Sequence, residues 1–410
     1  MEVLDHKRNK LLIKIDFMVK PIYLDNQATT PIDPEVMDAM LPYFKEKFGN
    51  SSSVHHSYGS ESNEAVEKAR TILASTINAQ TREIIFTSGA TESINLAIKG
   101  VAGNYEQKYH IITQATEHSA VLDTYRAIEK KGWEITILPV KSNGMVEPNL
   151  VRDAIQSDTV LVSVMHANNE IGTIQPLKKI GDICKRNKIL FFVDACQSFG
   201  KLNIDVREMN IDLLAATAHK LYGPKGIGFL YARQTNPRVN LEMQIDGGGH
   251  ERGFRSGTLP VPLIVGFGKA IDISLKTMKT EYQFLRKLRD LLYDGIVSKH
   301  SDIILNGSFE NGLPNNLNLC FPELDSETMI MKMKGIACSA GSACSSANLE
   351  PSHVIKALGR PNELALSAIR FSLGRFNTER EIETAIKEIN RVAETLKLKK
   401  IKRKNKKINH

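Results

Sequence analysis

The sequence predicts an α/β protein: a large domain with a mostly parallel seven-stranded sheet between helices, joined to a smaller α+β domain. Three observations carry this. From residue 83 to 231, short β-rich runs alternate with longer helical patterns. Several runs are nearly all apolar, as strands buried on both faces of a parallel sheet are. Near residue 270 the alternation gives way to a long amphipathic repeat. Alternating β and α units close into a sheet covered on both faces.

In chain order the runs are Glu83–Thr87, Tyr109–Thr113, Glu134–Leu138, Val160–Met165, Ile189–Val193, Asp212–Ala216 and Gly226–Tyr231. Helical stretches lie between them, among them Ser93–Asn104, Ser119–Lys131 and Leu177–Asn187. Further on, Leu275, Met278, Tyr282, Leu285, Leu288 and Leu292 recur at intervals of three and four, the stripe of an amphipathic helix. A short strand (Ile303–Leu305), a Gly/Ser-rich loop (Ser339–Ser346) and a final helix from Glu379 to Leu396 follow. A chain of 410 residues exceeds one ordinary core. Residues 33–270 are therefore expected to form the large domain, and 18–32 with 271–396 the small one. Residues 1–17 form an N-terminal extension, disordered or a misassigned start. Residues 397–410 form a basic disordered tail.

The net charge of +8 belongs to that tail. Lys397 to His410 holds seven lysines, one arginine and no acid, which leaves 46 basic and 46 acidic residues elsewhere. A nucleic-acid-binding domain is thus excluded as the source of the charge. No apolar run reaches the roughly 18 residues that span a bilayer. Lys7, Arg8 and Lys10 precede an apolar segment, but Lys14 and Asp16 interrupt it and no small-residue cleavage site follows. The five cysteines (184, 196, 320, 338 and 344) show no C-x-x-C spacing. Neither a disulfide framework nor a metal site is expected, and a reducing, cytoplasmic setting is.

In sheets of this kind ligands sit at the carboxyl ends of the strands, and those ends carry unusual residues. After Thr87 comes Ser88-Gly-Ala-Thr-Glu-Ser93, opening a helix whose N–H groups suit a phosphate; an ordinary cap by Thr91 or Ser88 reads equally well. Glu117-His118 follows the second run, and His166-Ala-Asn-Asn-Glu170 the fourth, where a turn would suffice. Asp194 ends a buried run, which implies a cation, a protonated ring nitrogen or a helix cap. Thr217-Ala-His-Lys220 then precedes a Gly-Pro-Lys-Gly turn; a lysine desolvated at a strand end suits imine chemistry. Together these are parts for holding pyridoxal phosphate.

With these motifs in order, the chain resembles the class V, fold-type-I pyridoxal-phosphate enzymes, specifically the NifS/IscS-like group I cysteine desulfurases. The resemblance runs from Tyr23-Leu-Asp-Asn-Gln-Ala-Thr-Thr-Pro31 to about Leu396. It implies phosphate contacts by Ala90, Thr91, Thr217 and His219. It also implies ring stacking and proton handling by His118, cofactor contacts by Asn169 and Gln197, and a ring-nitrogen contact by Asp194. Lys220 would form the covalent imine. Thr258, in Arg255-Ser-Gly-Thr-Leu-Pro260, would reach the phosphate of a neighbouring subunit, which implies a homodimer.

Two further segments resemble those that separate desulfurases from aminotransferase-like relatives. In Cys338-Ser-Ala-Gly-Ser-Ala-Cys344, Cys344 falls at the persulfide-forming position, while Cys338 and the other three cysteines read as packed thiols. In Ser367-Ala-Ile-Arg370, the guanidinium suits the substrate carboxylate, with Asn169 beside it. The implied activity converts L-cysteine to L-alanine and leaves sulfur on Cys344 for an acceptor protein in iron–sulfur assembly or tRNA thiolation. A selenocysteine lyase, another class V enzyme, or an RNA-associated role for the basic tail are the rival readings. The tail departs from the acidic-aromatic ending of IscS relatives, and Cys196 is unusual in its turn.

Overall fold

A computed structural model describes residues 20–105, 109–340 and 350–408, with side chains as far as 401. The chain enters through a two-residue strand, β1 (Ile22–Tyr23), followed by α1 (Pro34–Lys45) and α2 (Ser57–Thr76). Asp33 caps α1 by accepting the Glu35 N–H, and Pro34 stands at the first helical position, where its missing N–H costs nothing. The sequence pattern did not single out these two helices.

The seven expected strands all form, displaced by at most a few residues. They are β2 (Ile84–Thr87), β3 (His110–Gln114), β4 (Glu134–Leu138), β5 (Thr159–Ser163), β6 (Leu190–Asp194), β7 (Leu213–Thr217) and β8 (Gly228–Ala232). They lie in one sheet in the order β2-β8-β7-β6-β5-β3-β4. All its pairings are parallel except those of β8, which runs antiparallel to both neighbours. Helices α3 (Ala90–Ala102), α4 (Ser119–Glu129), α5 (Pro148–Asp153) and α6 (Leu177–Asn187) connect the strands.

Alternation along each strand feeds two cores. Phe191, Val193, Leu214 and Ala216 point into a core shared with α1, α2 and α6. Phe192, Leu213 and Ala215 point the other way, onto α3 and α4. Both faces are thus buried, which is why these runs lack the polar alternation of a half-exposed strand.

The expected amphipathic helix is longer than its pattern: α7 spans Val261–Val297. Its first half (Val261, Ile264, Phe267, Ile271) belongs to the large-domain core. Its second half (Leu285, Leu288, Leu292, Ile296) belongs to a separate core. The expected boundary at 271 therefore falls inside a continuous helix. Around the second core lie β9 (Ile304–Asn306), β10 (Asn316–Cys320), α8 (Ser326–Lys332), β11 (Ile336–Ala337), β12 (Ser339–Ala340), β13 (Ala368–Ser372) and α11 (Glu379–Ile408), while α9 (His353–Ala357) and α10 (Asn362–Ala365) pack in a smaller cluster with Ile171 and Cys320. An antiparallel sheet of order β12-β13-β10-β9 forms there, and β1 pairs with β11.

Helix α11 does not stop at 396. Its backbone continues to Ile408 in place of the expected disordered tail. Lysine and arginine are good helix formers, and cations in the last turns complement the helix dipole. Lys397 Nζ bonds both Asp302 carboxylate oxygens at 2.8 and 2.7 Å, which ties the start of this extension to the small domain. Among the described residues no helix is long and apolar enough to cross a membrane.

Candidate active site

At the carboxyl ends of the parallel strands lies a cleft of about 920 Å³. Ten expected residues line it: Ala90, Thr91, His118, Asn169, Asp194, Gln197, Thr217, His219, Lys220 and Arg370. Thr258 is exposed and lies outside the cleft of its own chain. Cys344 falls outside the described residues.

One end is built for an anion. Gly89 precedes α3 with φ of +151°, a backbone state that a side chain resists, and a Cβ there would meet nothing within 4 Å. Opposite it, a Cβ on Gly228 would come within 2.8 Å of the Gly89 Cα, so β8 approaches this closely only as glycine. The α3 N-terminus thus opens on the cleft with small residues and its positive dipole end. Thr217 donates its hydroxyl to the Ile227 carbonyl at 3.1 Å. His219 Nδ1 meets the Thr29 hydroxyl at 3.1 Å, and burial lowers its imidazole to about 4.

The middle of the cleft holds the reacting groups. Asp194 is 5% exposed and accepts the Cys196 N–H at 2.9 Å. His118 Nδ1 accepts the Ala120 N–H at 3.1 Å, capping α4. That bond leaves Nε2 as the protonated nitrogen of the neutral ring. Burial lowers its imidazole, with Asp194 acting against the shift. Lys220 donates to the Gln27 and Ala28 carbonyls at 2.7 and 2.6 Å. Burial lowers its amine to about 8. Two carbonyl acceptors occupy both N–H groups of a neutral amine and leave its lone pair free.

The far end suits a carboxylate. Arg370 is buried on β13 and donates to the Asn169 carbonyl and to Asp25 Oδ1, both at 2.7 Å, while its Nε has no partner. Asn169 Oδ1 and Gln197 Oε1 are also buried without partners. A polar ligand in the cleft would relieve such orphans.

The sequence pattern missed the supporting residues. Asp25, Gln27 and Ala28 come from the segment after β1, which carries their atoms to Arg370 and Lys220 across more than 190 positions. Glu117 is fully buried; its Oε1 accepts the Met165 N–H at 2.5 Å, and burial pushes its carboxyl up to about 8. Glu170 accepts the Ser352 hydroxyl at 2.5 Å, with burial pushing it up to about 7. His353 donates from Nε2 to the Glu117 carbonyl at 2.9 Å. Local polarity marked Glu117 and Glu170 as neighbours of His118 and Asn169, but nothing in the spacing linked them to residues 352 and 353.

The described cysteines are poor nucleophiles. Cys184, Cys196 and Cys320 are buried, and burial raises all three thiols. Cys338 is half-buried on the small-domain core, its thiol pushed up to about 12. All four are held as thiols, not thiolates.

A desolvated lysine between a buried carboxylate and a helix N-terminus, on a mostly parallel sheet, defines a transferase that works through a carbonyl-bearing, phosphorylated cofactor. The model of the aminotransferase class-V family matches residues 22–384, and the chain belongs to that family. It is 52% identical over 377 residues to the cysteine desulfurase IscS of Rickettsia bellii, covering 92% of each chain. It is 52% identical over 381 residues to that of Vibrio campbellii, covering 92% of this chain and 94% of the relative. Among solved structures, a NifS-like protein superposes with a TM-score of 0.85 at 37% identity, over 92% of this chain and 100% of the other. The structure of SspA in complex with cysteine superposes with a TM-score of 0.78 at 37% identity, over 87% and 100%.

The cofactor of this family is pyridoxal phosphate, and the residues present fit it. The open glycine at the head of α3 offers room for a phosphate, Asp194 a buried carboxyl group for a ring nitrogen, and Lys220 an amine for an aldehyde. The orphaned amide oxygens of Asn169 and Gln197 mark where a polar ring substituent would be held.

Proposed function

We propose that the chain is a cysteine desulfurase whose sulfur carrier is Cys344. The observation that carries this is the placement of Lys220 and Arg370 on one cleft, amine and carboxylate anchor, in a chain about half identical to IscS enzymes. The bound cofactor supplies an electron sink that labilises bonds at the substrate α-carbon.

Arg370 turns from Asp25 to the α-carboxylate of L-cysteine and fixes its orientation. Lys220 holds and returns the α-proton at Nζ. His118 handles a second proton at Nε2. The Cys344 thiolate attacks the substrate sulfur; the carbon–sulfur bond breaks, a persulfide remains on Cys344, and a proton on carbon completes L-alanine.

Thr258, which is exposed, contacts the cofactor phosphate of a second subunit in a homodimer. The persulfide passes to an acceptor protein for iron–sulfur assembly or tRNA thiolation in the cytoplasm, and the basic end of α11 adds weak nucleic-acid contact. The test is alanine and sulfide release from L-cysteine. Cys344→Ser is expected to abolish persulfide and sulfide release while retaining the visible absorbance of the loaded protein. Full sulfide release by that variant would overturn the assignment.

A further inference from the structure

Lys220 borders two cavities. One is the cleft; the other is a separate chamber of about 30 Å³ between the large domain, α7 and the N-terminal segment. Lys220 lines both, and no other described residue does. The chamber walls include Lys201, Tyr222, Glu281, Tyr282 and Asn315.

Two buried polar atoms of these walls have no partner: Lys201 Nζ and Asn315 Oδ1. The carboxylate on the same wall is already engaged, since Glu281 pairs with Arg375 at 2.9 Å and Arg375 also holds Asp33 at 2.9 Å. A buried ammonium without a counter-ion is costly, so this wall does not tolerate a second positive charge beside it. Burial lowers the Lys201 amine to about 8, and the neighbouring Lys220 adds to the shift. A chamber of this size admits a water molecule, and its orphaned donor and acceptor require one.

We propose that Lys201 is a positioning residue for Lys220: both line the water-sized chamber, the two nitrogens do not both carry a proton, and a charged Lys201 keeps the Lys220 nitrogen unprotonated. No bond to carbon or sulfur changes and no electrons are transferred. The groups facing Lys220 are Asp194 at the end of β6 and Cys196 beyond it, Arg370 on β13, Asp25 near β1, His118 before α4, His219 beside it in the chain, and Lys201. Those facing Lys201 are Lys220, Glu281 on α7, Arg375 beyond β13, Cys196 and His219. Lys201 is distinct among them as a second amine, on the wall of the chamber that Lys220 also lines. This inference rests on the assignment of Lys220 as the cofactor-binding lysine.

The test titrates the visible absorbance of the full-length, pyridoxal-phosphate-loaded protein with pH. A cation near the Lys220 nitrogen disfavours its protonation, so K201M is expected to move the midpoint alkaline by about one pH unit. An unshifted midpoint in folded K201M overturns the proposal. K201Q, which keeps a hydrogen-bonding end for the chamber water, is read the same way if methionine disturbs folding. In the unmutated chain, a 13C-methylated Lys201 that titrates near the ordinary 10.5 also overturns it. Lys220→Ala separates the two readings. Persistence of the pH-dependent band in that variant removes the Lys220 assignment itself, whatever Lys201 does.

Discussion

Glu117 shows how a single side chain sets the pH response of the site. Its carboxyl ordinarily titrates near 4.5 and is raised to about 8 in the folded chain, chiefly by burial and secondly by Asp194. The folded state therefore binds this proton more tightly than the unfolded state. The sign follows: its contribution is fully present below 4.5 and is lost as pH rises toward 8. Glu117→Gln removes the titration while keeping an acceptor for the Met165 N–H. The variant is expected to melt increasingly above the wild type between pH 4.5 and 8, with no gap at pH 4, in thermal scans at several pH values. A constant gap across that range would sink the idea. Asp194 and Lys220 were legible because each comes at or just after the end of an apolar run, as Asp194 follows Phe191-Phe192-Val193, whereas Thr258, Cys344 and the role of Arg370 came from the resemblance. Asp25 and Lys201 were not legible. The contact of Asp25 with Arg370 joins positions 345 apart, and Lys201 looks like any surface lysine until its amine is seen to be buried.

Among the elements, β8 and α3 meet more tightly than any apolar pattern reveals. The strand was legible from Gly226–Tyr231, but its antiparallel direction was not, because periodicity is blind to direction. Direction matters here, since it brings Gly228, the first residue of β8, beside Thr87 and under Gly89. Gly228→Ala would press a methyl group against the Gly89 Cα and the Ala216 carbonyl, at 2.8 and 2.6 Å. Such overpacking costs about 1–3 kcal/mol, and the strain falls on the head of α3. The expected result is a lower melting temperature together with faster loss of pyridoxal phosphate on dialysis. Retention equal to wild type would show that the glycine pair does not shape the anion end. Helices α1 and α2 escaped notice for a different reason: they cover the sheet from outside the β–α alternation that made the other helices visible.

At the scale of the whole molecule, charge and fold are separable. Deleting residues 397–410 removes seven lysines and one arginine, leaving 46 basic and 46 acidic residues. It also removes the Lys397–Asp302 and Lys400–Glu323 pairs, whose partners are substantially exposed. Exposed pairs of this kind contribute at most about 1 kcal/mol each. The truncated chain is expected to melt within a few degrees of the full one and to turn over cysteine at an unchanged rate. It should no longer be retained by heparin at low salt, and retention at wild-type strength would place the polyanion contact elsewhere. The change of pattern near residue 270 was legible, but the continuity of α7 across both cores was not, since a period reports one buried face and not which core receives it. The pairing of Ile22 with Ile336 has a consequence for biosynthesis. A ribosome releases the first strand long before its partner exists, so the smaller core cannot close until nearly the whole polypeptide has emerged. The newborn chain must therefore keep an apolar end uncommitted for most of its synthesis, the interval in which chaperones would be needed most.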